Sequence, residues 1–299
     1  MRKRVLFALA TMVVGCSDSR IEQTQKEQKE ESTNSGVLTR VDEEKKHTVD
    51  FSLPYLSNSI RVTTAGNKVS SFKRFDNISD VNTKKRAFFE YLKDGVALEN
   101  SRVIKERTFI IGLWGNLDAN KTLARHELEL LKLISTQYKV KFDDNNLSND
   151  WFKLLLSHVD VIPEALVLSQ AANESAWGTS RFVREGNNYF GQWCYTKGCG
   201  LIPKQRTEGM VHEVAAFDTP QESIYGYFMN INRNKAYRSL RNIRSQRASK
   251  GLPLHSPDAA KELAEGLLHY SERGVEYVQE LQSMIRYNNK YWTIYSNEK

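Results

Sequence analysis

Apolar residues recur every three or four positions along most of the sequence between residues 83 and 285. This spacing puts them on one face of an α-helix, so each segment is expected to bury that face against its neighbours. With 299 residues, 40% of them hydrophobic, the chain can enclose at least one sizeable core. The sequence therefore predicts a mainly α fold. The apolar rows are marked by Phe88 and Leu92, Leu131 and Ile134, Phe152 and Leu155, Ile224 and Phe228, Leu263 and Leu267, and Leu281 and Ile285.

One stretch, residues 186–217, departs from the helical pattern. It is rich in Gly and Asn, which favour turns, and it ends in "MVHEVAAF", which alternates like a short strand. In that alternation Glu213 shares a face with the apolar residues around it. We expect a small β-rich lobe on the helical body, with Glu213 either buried against its core or placed on that face by chance.

The N-terminus "MRKRVLFALATMVVGC" has a cationic head followed by an apolar run from Val5 to Val14. A membrane-spanning helix needs about 20 apolar residues, so this run fits an export signal better. "VVGC" resembles the lipobox of bacterial lipoproteins, which implies removal of residues 1–15 and lipidation of Cys16. Ser17 after that cysteine implies a periplasm-facing protein anchored in the outer membrane.

Residues 16–50 are dense in Glu, Lys, Gln and Ser and nearly lack large apolar side chains. Such a segment cannot bury enough surface to offset the entropy lost on ordering, so we expect a flexible tether. The formal charge is +7, and part of it belongs to the leader. This balance is too mild to indicate a nucleic-acid partner.

Cys194 and Cys199 lie close together in "CYTKGC". An exported protein meets oxidising conditions, and a short loop containing Gly198 can close, so we favour a disulfide over two free buried thiols. A zinc site is disfavoured because no second pair follows at finger spacing. We predict neither a metal nor a cofactor. The histidines that share no ligand spacing are His158, His212, His255 and His269.

Glu174 is a single carboxylate in "QAANESAWGTSRF". A helix starting at Pro163 and ending at Trp177 would put Gln170, Glu174 and Trp177 on one face. A carboxyl group beside an indole keeps its proton to higher pH, which is what a general acid at a glycosidic oxygen requires. The alternative is an ordinary surface glutamate near the end of a helix.

The motifs "ESAWGTSRF", "GNNYFGQW" and "FDTPQESIYGYFMNINRNKAY", with "KKRAFFEYL", "YKVKF" and "CYTKGC", resemble the glucosaminidase domain of glycoside hydrolase family 73. The resemblance is greatest to the Bax family of bacterial proteins, which is unrelated to the apoptosis regulator, and it runs from about residue 75 to about residue 292. It implies a lysozyme-like helical body with a small β-lobe. It also implies cleavage of peptidoglycan strands after N-acetylglucosamine.

The resemblance places Glu174 at the family's catalytic acid and Tyr237 at its active-site tyrosine. We divide the folded chain into an N-terminal helical extension, residues 51–110, and a glucosaminidase domain, residues 111–299. The second catalytic group stays open between Glu208, Glu213 and the acetamide of the substrate. In the last case Tyr237 would polarise the acetamide or position water.

A sugar groove is expected beside Glu174, lined through amide hydrogen bonds and ring stacking, although core packing is the alternative for the aromatic residues. We expect a monomer whose partner is the peptidoglycan strand. The alternative activities are a lytic transglycosylase and a non-catalytic wall-binding lipoprotein. The predicted groove residues are Gln170, Trp177, Asn187, Asn188, Phe190 and Trp193.

A row of arginines follows Tyr237 at every third position. We expect it to form a solvated helix face, with contacts to anionic wall polymers as the alternative. The row consists of Arg238, Arg241, Arg244 and Arg247.

Overall fold

The computed structural model describes residues 66–203 and 212–292. This part of the chain folds into nine α-helices and one three-stranded sheet, confirming the predicted mainly α fold with a small β-lobe. None of its helices is long and apolar enough to span a membrane. The leader, the tether with Cys16, and Glu208 lie outside the described residues. The helices are α1 Val81–Asp118, α2 Arg125–Gln137, α3 Asn149–His158, α4 Glu164–Glu174, α5 Arg181–Gly186, α6 Pro220–Arg233, α7 Arg238–Ser249, α8 Pro257–Ala264 and α9 Val275–Tyr287.

Helix α1 is one continuous element of 38 residues, and it contains the predicted apolar row of Phe88 and Leu92. The boundary drawn between residues 110 and 111 falls inside it. Gly95, in its middle, marks a close approach of α6: a Cβ there would lie 2.6 Å from Ile224 Cδ1 and 2.7 Å from Gln221 Oε1. The low helix propensity of this glycine is therefore offset by tight packing between the two helices.

Helix α4 lies at the centre of the body and packs against α1, α8 and α9. Every residue from Glu164 to Ala172 is buried, because neighbours cover all sides of the helix. The predicted extension to Trp177 is wrong. The helix ends at Glu174, since Ala176 and Trp177 have φ values of 50° and 59°, in the left-handed region that terminates helices.

The β-lobe consists of β1 Trp193–Cys194, β2 Gly200–Leu201 and β3 Glu213–Ala215. Strand β3 lies between the other two and pairs antiparallel with both, as the alternation in "MVHEVAAF" predicted for a strand. A disulfide joins Cys194 to Cys199, as favoured from the sequence. It ties β1 to the loop that enters β2.

Glu213 is buried in this lobe, with 4% of its surface exposed. Its two carboxylate oxygens accept hydrogen bonds from the backbone N–H of Gly198, at 3.0 Å, and of Gly200, at 2.9 Å. These amides lie on either side of Cys199. Glu213 and the disulfide therefore hold the same loop.

The arginine row of α7 is not a solvated face, and that expectation is wrong. Only Arg238 in it is exposed; Arg241, Arg244 and Arg247 are buried. A row at every third position of a helix is one stripe, and here the stripe faces carbonyl groups of the interior. The buried members are therefore not free to bind wall polymers.

Arg244 has the deepest position in the row, with none of its surface exposed. Its Nη1 donates to the carbonyl oxygens of Asp160 and Val161, and its Nη2 donates to that of Ser157. These carbonyls belong to the end of α3 and the connection to α4, where helical partners are lacking. The guanidinium thus supplies donors that the backbone cannot.

Replacing Arg244 with Met should lower the free energy of unfolding by about 3–5 kcal/mol, because buried carbonyls lose their donors. Urea unfolding curves measure the loss. The matched variant Arg238→Met removes an exposed arginine from the same helix and should change stability by no more than about 0.5 kcal/mol. Equal losses in both variants would contradict the assignment.

Candidate active site

Glu174 is the last residue of α4, and its side chain is partly exposed where the helix leaves the core. Burial raises the pKa of its carboxyl group, as the sequence predicted. A hydrogen bond from the Tyr277 hydroxyl and the charge of Arg273 oppose this by lowering the pKa, and the charge of Glu280 raises it. The net direction is upward, so this carboxyl group holds its proton more firmly than an exposed one.

A group of tyrosines surrounds Glu174 in place of the expected indole. The rings of Tyr270 and Tyr277 are parallel at 5° with centroids 5.6 Å apart, and the Tyr237 ring lies 5.8 Å from Tyr270. Burial raises the pKa of Tyr227, Tyr270 and Tyr277 far above the ordinary value. These three hydroxyl groups therefore stay neutral and can donate hydrogen bonds at any pH the protein meets.

Gln170, expected to contact sugar, lies fully inside the body, one turn before Glu174. Its Oε1 accepts from the Tyr227 hydroxyl at 2.5 Å, and its Nε2 donates to the Tyr277 oxygen at 2.9 Å. The Tyr277 oxygen accepts this bond, which leaves its proton directed to Glu174. Gln170 is thus part of a hydrogen-bond chain that orients the catalytic candidate from behind.

Trp177 also lies apart from the predicted groove. Its ring centroid lies 5.7 Å from that of Phe88 and 5.2 Å from that of Phe89, both on α1. The Lys85 ammonium sits 5.2 Å from its centroid. Because the left-handed turn after Glu174 rotates the indole away from the carboxylate, Trp177 secures that turn against α1.

The two adjacent asparagines shape the loop that follows α5. The Nδ2 of Asn187 donates to the carbonyl oxygens of Phe217 and Asp218. Asn188 is buried, and its Oδ1 accepts from the backbone N–H of Phe190 and of Gln192. Both amide groups are engaged by backbone, so these residues build the loop instead of facing a sugar.

Phe190 is buried as well, and its ring stacks on that of Tyr227 with the centroids 4.3 Å apart. It therefore packs in the core, which was the alternative to a position in the sugar groove. The next residue, Gly191, has φ 63° and is exposed. A Cβ on Gly191 would lie 3.4 Å from Glu174 Oε2, so the backbone passes directly beside the carboxylate. A side chain at this position would begin in van der Waals contact with the carboxylate, and glycine leaves that place free.

Trp193 is the predicted groove residue that most resembles a sugar platform. It is 45% exposed, and its ring stacks on that of His212 at 4.2 Å and an angle of 13°. An exposed, supported indole on the β-lobe offers a flat apolar face for stacking. This prediction stays open.

The second carboxylate is not decided by the described residues. Glu208 lies outside them, and Glu213 is engaged by the amides of the disulfide loop. Glu280, whose charge reaches Glu174, was not predicted as a site residue, and neither were Tyr227, Tyr270 and Tyr277. Their helical spacing marked them only as core or surface positions.

Ligand atoms of Cys194, Cys199 and Glu213 lie within 4.8 Å of one another in the described part of the chain. The two cysteines are oxidised to a disulfide, so neither offers a thiolate to a metal ion. This group is a structural tie of the β-lobe.

Tyr277→Phe removes the hydrogen bond that lowers the pKa of Glu174, so that pKa should rise further. If Glu174 is the general acid that the family resemblance implies, it acts in its protonated form, and the alkaline limb of the activity profile should move to higher pH. Initial rates of glycan cleavage across a pH series measure the shift. Tyr287→Phe, at an 83% exposed position of the same helix, should leave the profile unchanged. A shift to lower pH in Tyr277→Phe would overturn the hydrogen-bond assignment.

The chain is similar to known proteins both in its domain family and in its overall sequence. The Glucosaminidase family model, described as mannosyl-glycoprotein endo-beta-N-acetylglucosaminidase, matches residues 149–290, a range that includes Glu174 and Tyr237. Protein bax of Escherichia coli (strain K12) is 30% identical over 212 residues, which cover 69% of this chain and 70% of that protein. No solved structure matches. The chain belongs to the Bax family of glucosaminidase-domain proteins.

Proposed function

We propose that this protein is a peptidoglycan hydrolase, an endo-β-N-acetylglucosaminidase that cleaves the glycan strand after N-acetylglucosamine with Glu174 as general acid. The observation that carries the proposal is a carboxyl group of raised pKa at the exposed end of a buried helix, within the range matched by the glucosaminidase family. A glycosidic oxygen is a weak base and needs a proton from such a group as its bond breaks.

The surroundings of Glu174 suit this reaction. Burial raises the pKa of the carboxyl group, and the Tyr277 hydroxyl forms a hydrogen bond with it. Gly191 leaves room beside Oε2 for the sugar that carries the departing oxygen. In this proposal Trp193 stacks on a neighbouring sugar and supports the strand from the β-lobe.

For the group that attacks the anomeric carbon while Glu174 protonates the departing oxygen, we favour the acetamide of the substrate, with Tyr237 positioned to hold it. Water then opens the cyclic intermediate. Tyr237 is 7% exposed and belongs to the tyrosine group around Glu174. We leave Glu213 out of the mechanism because it holds the disulfide loop. Glu208 remains the alternative base.

Glu174→Gln keeps the shape of the side chain but has no proton to give, so turnover should fall by at least about a hundredfold. The variant should also unfold less readily at neutral pH. A carboxyl group whose pKa is raised by folding stabilises the fold only while protonated, and that contribution is lost as pH rises through the raised pKa. The gain in stability of Glu174→Gln over the wild type should therefore shrink as the pH is lowered.

Release of reducing ends and melting curves measure these effects, with the exposed Glu265→Gln as control. Mass spectrometry of the wild-type digest tests the reaction type. Reducing N-acetylglucosamine ends support hydrolysis, whereas anhydro ends would identify a lytic transglycosylase. Binding without cleavage would identify a wall-binding module, and near-normal turnover by folded Glu174→Gln would reject this acid.

Tyr237→Phe separates a working hydroxyl from a packed ring. If the hydroxyl holds the acetamide, turnover should fall by about ten- to a thousandfold while the melting temperature stays nearly constant. Tyr237→Ala should lower the melting temperature because it leaves a cavity. Full activity of Tyr237→Phe would remove this residue from the mechanism and favour Glu208 as second group.

We also propose that Cys16 anchors the protein by a lipid to the outer membrane, on the basis of the lipobox-like "VVGC". Fractionation of cells should find the wild type in membranes and Cys16→Ser in the soluble periplasmic fraction. The wild type should incorporate labelled fatty acid. Failure to do so would refute the anchor without bearing on the catalytic proposal.

A further inference from the structure

Arg273 lies just before α9, at the margin of the candidate active site, and the mechanism above does not use it. Its guanidinium lies 5.5 Å from the centroid of the Tyr277 ring, whose hydroxyl bonds to Glu174. Its Nη1 is 2.6 Å from Glu280 Oε2. The arginine is thus held between a ring and a carboxylate that both belong to the surroundings of Glu174.

This pair stays accessible to solvent, with 49% of the Arg273 side chain and 41% of the Glu280 side chain exposed. An exposed ion pair adds little to stability, so folding alone gives little reason for it. A guanidinium has five N–H donors in a planar fork, and Glu280 engages it from one side. Donors remain that a bound molecule can reach.

The charge of Arg273 is also felt inside the site, because it lowers the pKa of Glu174 while Glu280 raises it. The guanidinium is therefore within electrostatic range of the acid that would meet the bond being cleaved. A substrate lying across Glu174 would pass beside Arg273. The chemical group that such a fork recognises best is a carboxylate, bound through charge-assisted hydrogen bonds.

We propose that Arg273, positioned by Glu280 and Tyr277, is a specificity-determining residue that binds a carboxylate of the glycan strand beside the cleaved bond. This inference rests on the proposed peptidoglycan substrate. Alternate sugars of peptidoglycan carry a lactyl ether that ends in a carboxylate or continues into a peptide with free carboxylates. Strands made only of N-acetylglucosamine carry none, so Arg273 selects between the two kinds of strand.

The test compares three forms of one purified peptidoglycan: untreated, with carboxylates converted to amides by carbodiimide and ammonia, and with peptides removed so that the lactyl carboxylate is free. Steady-state cleavage by the wild type and Arg273→Gln is measured on each. Arg286→Gln is the matched control, since it removes an exposed arginine near the far end of α9. Melting curves verify that all variants are folded.

On untreated peptidoglycan, Arg273→Gln should raise KM by about three- to tenfold, with little change in kcat at the optimum. On the amidated substrate wild type and variant should have the same KM. A larger KM difference on peptide-free strands than on untreated material, in which attached peptides block lactyl groups, would assign the bound group to the lactyl carboxylate. Loss of the KM difference on peptide-free strands, with retention on untreated material, would assign the bound group to the peptide; both outcomes support the proposal.

Arg273→Lys adds a readout that separates binding from tuning of Glu174. Lysine keeps the positive charge but lacks the planar set of guanidinium donors. The alkaline limb of the Arg273→Lys activity profile should therefore stay at the wild-type pH, while its KM still rises. The proposal would be overturned if Arg273→Gln shifted the pH profile equally on untreated and amidated substrates and left KM unchanged on both. A wild type that cleaves none of the three substrates would instead refute the proposed function itself.

Discussion

The burial of α4 on all sides is the constraint from which the rest of the structure follows. Neighbours on every side require small or apolar side chains, and the run of Ala, Leu and Val supplies them. The polar exceptions are Glu164, Ser169 and Gln170, and the amide of Gln170 must be satisfied in the interior. Tyr227 and Tyr277 do this from α6 and α9, and the same bonds point the Tyr277 hydroxyl to Glu174. A requirement of core packing thereby fixes the geometry of the candidate acid.

The position of Glu174 at a helix C-terminus works in the same direction as its burial. The carbonyl end of a helix repels a carboxylate and so favours the protonated form. Tyr277 and Arg273 stabilise the ionised form, but burial is the largest cause and the net pKa is raised. The site therefore balances a carboxyl group that must hold a proton against partners that ease its release. That balance suits a group that gives up its proton during the reaction and must recover it afterwards.

Local features were predictable from the sequence, whereas features set by distant partners were not. The strand at Glu213–Ala215 and the Cys194–Cys199 disulfide depend on neighbouring residues, and both are present. The partners of Gln170 lie 57 and 107 positions away, so no spacing could reveal them. A row of arginines has the same spacing whether it faces water or buried carbonyl groups. The spacing therefore could not show that Arg244 is buried, and a solvated face was predicted instead.

The β-lobe contributes to the site through a second chain of contacts. The disulfide and Glu213 hold the loop beside β3, and the carbonyl oxygen of Ala215 at the end of β3 accepts from Asn188 Nδ2. The Oδ1 of Asn188 in turn receives the backbone N–H groups on both sides of Gly191. Gly191 is consequently fixed beside Glu174 from the lobe, while the acid is fixed from α4. The loop that contains Gly191 is therefore tied both to the lobe, through Asn188, and to the helical core, through the Phe190 ring stacked on Tyr227.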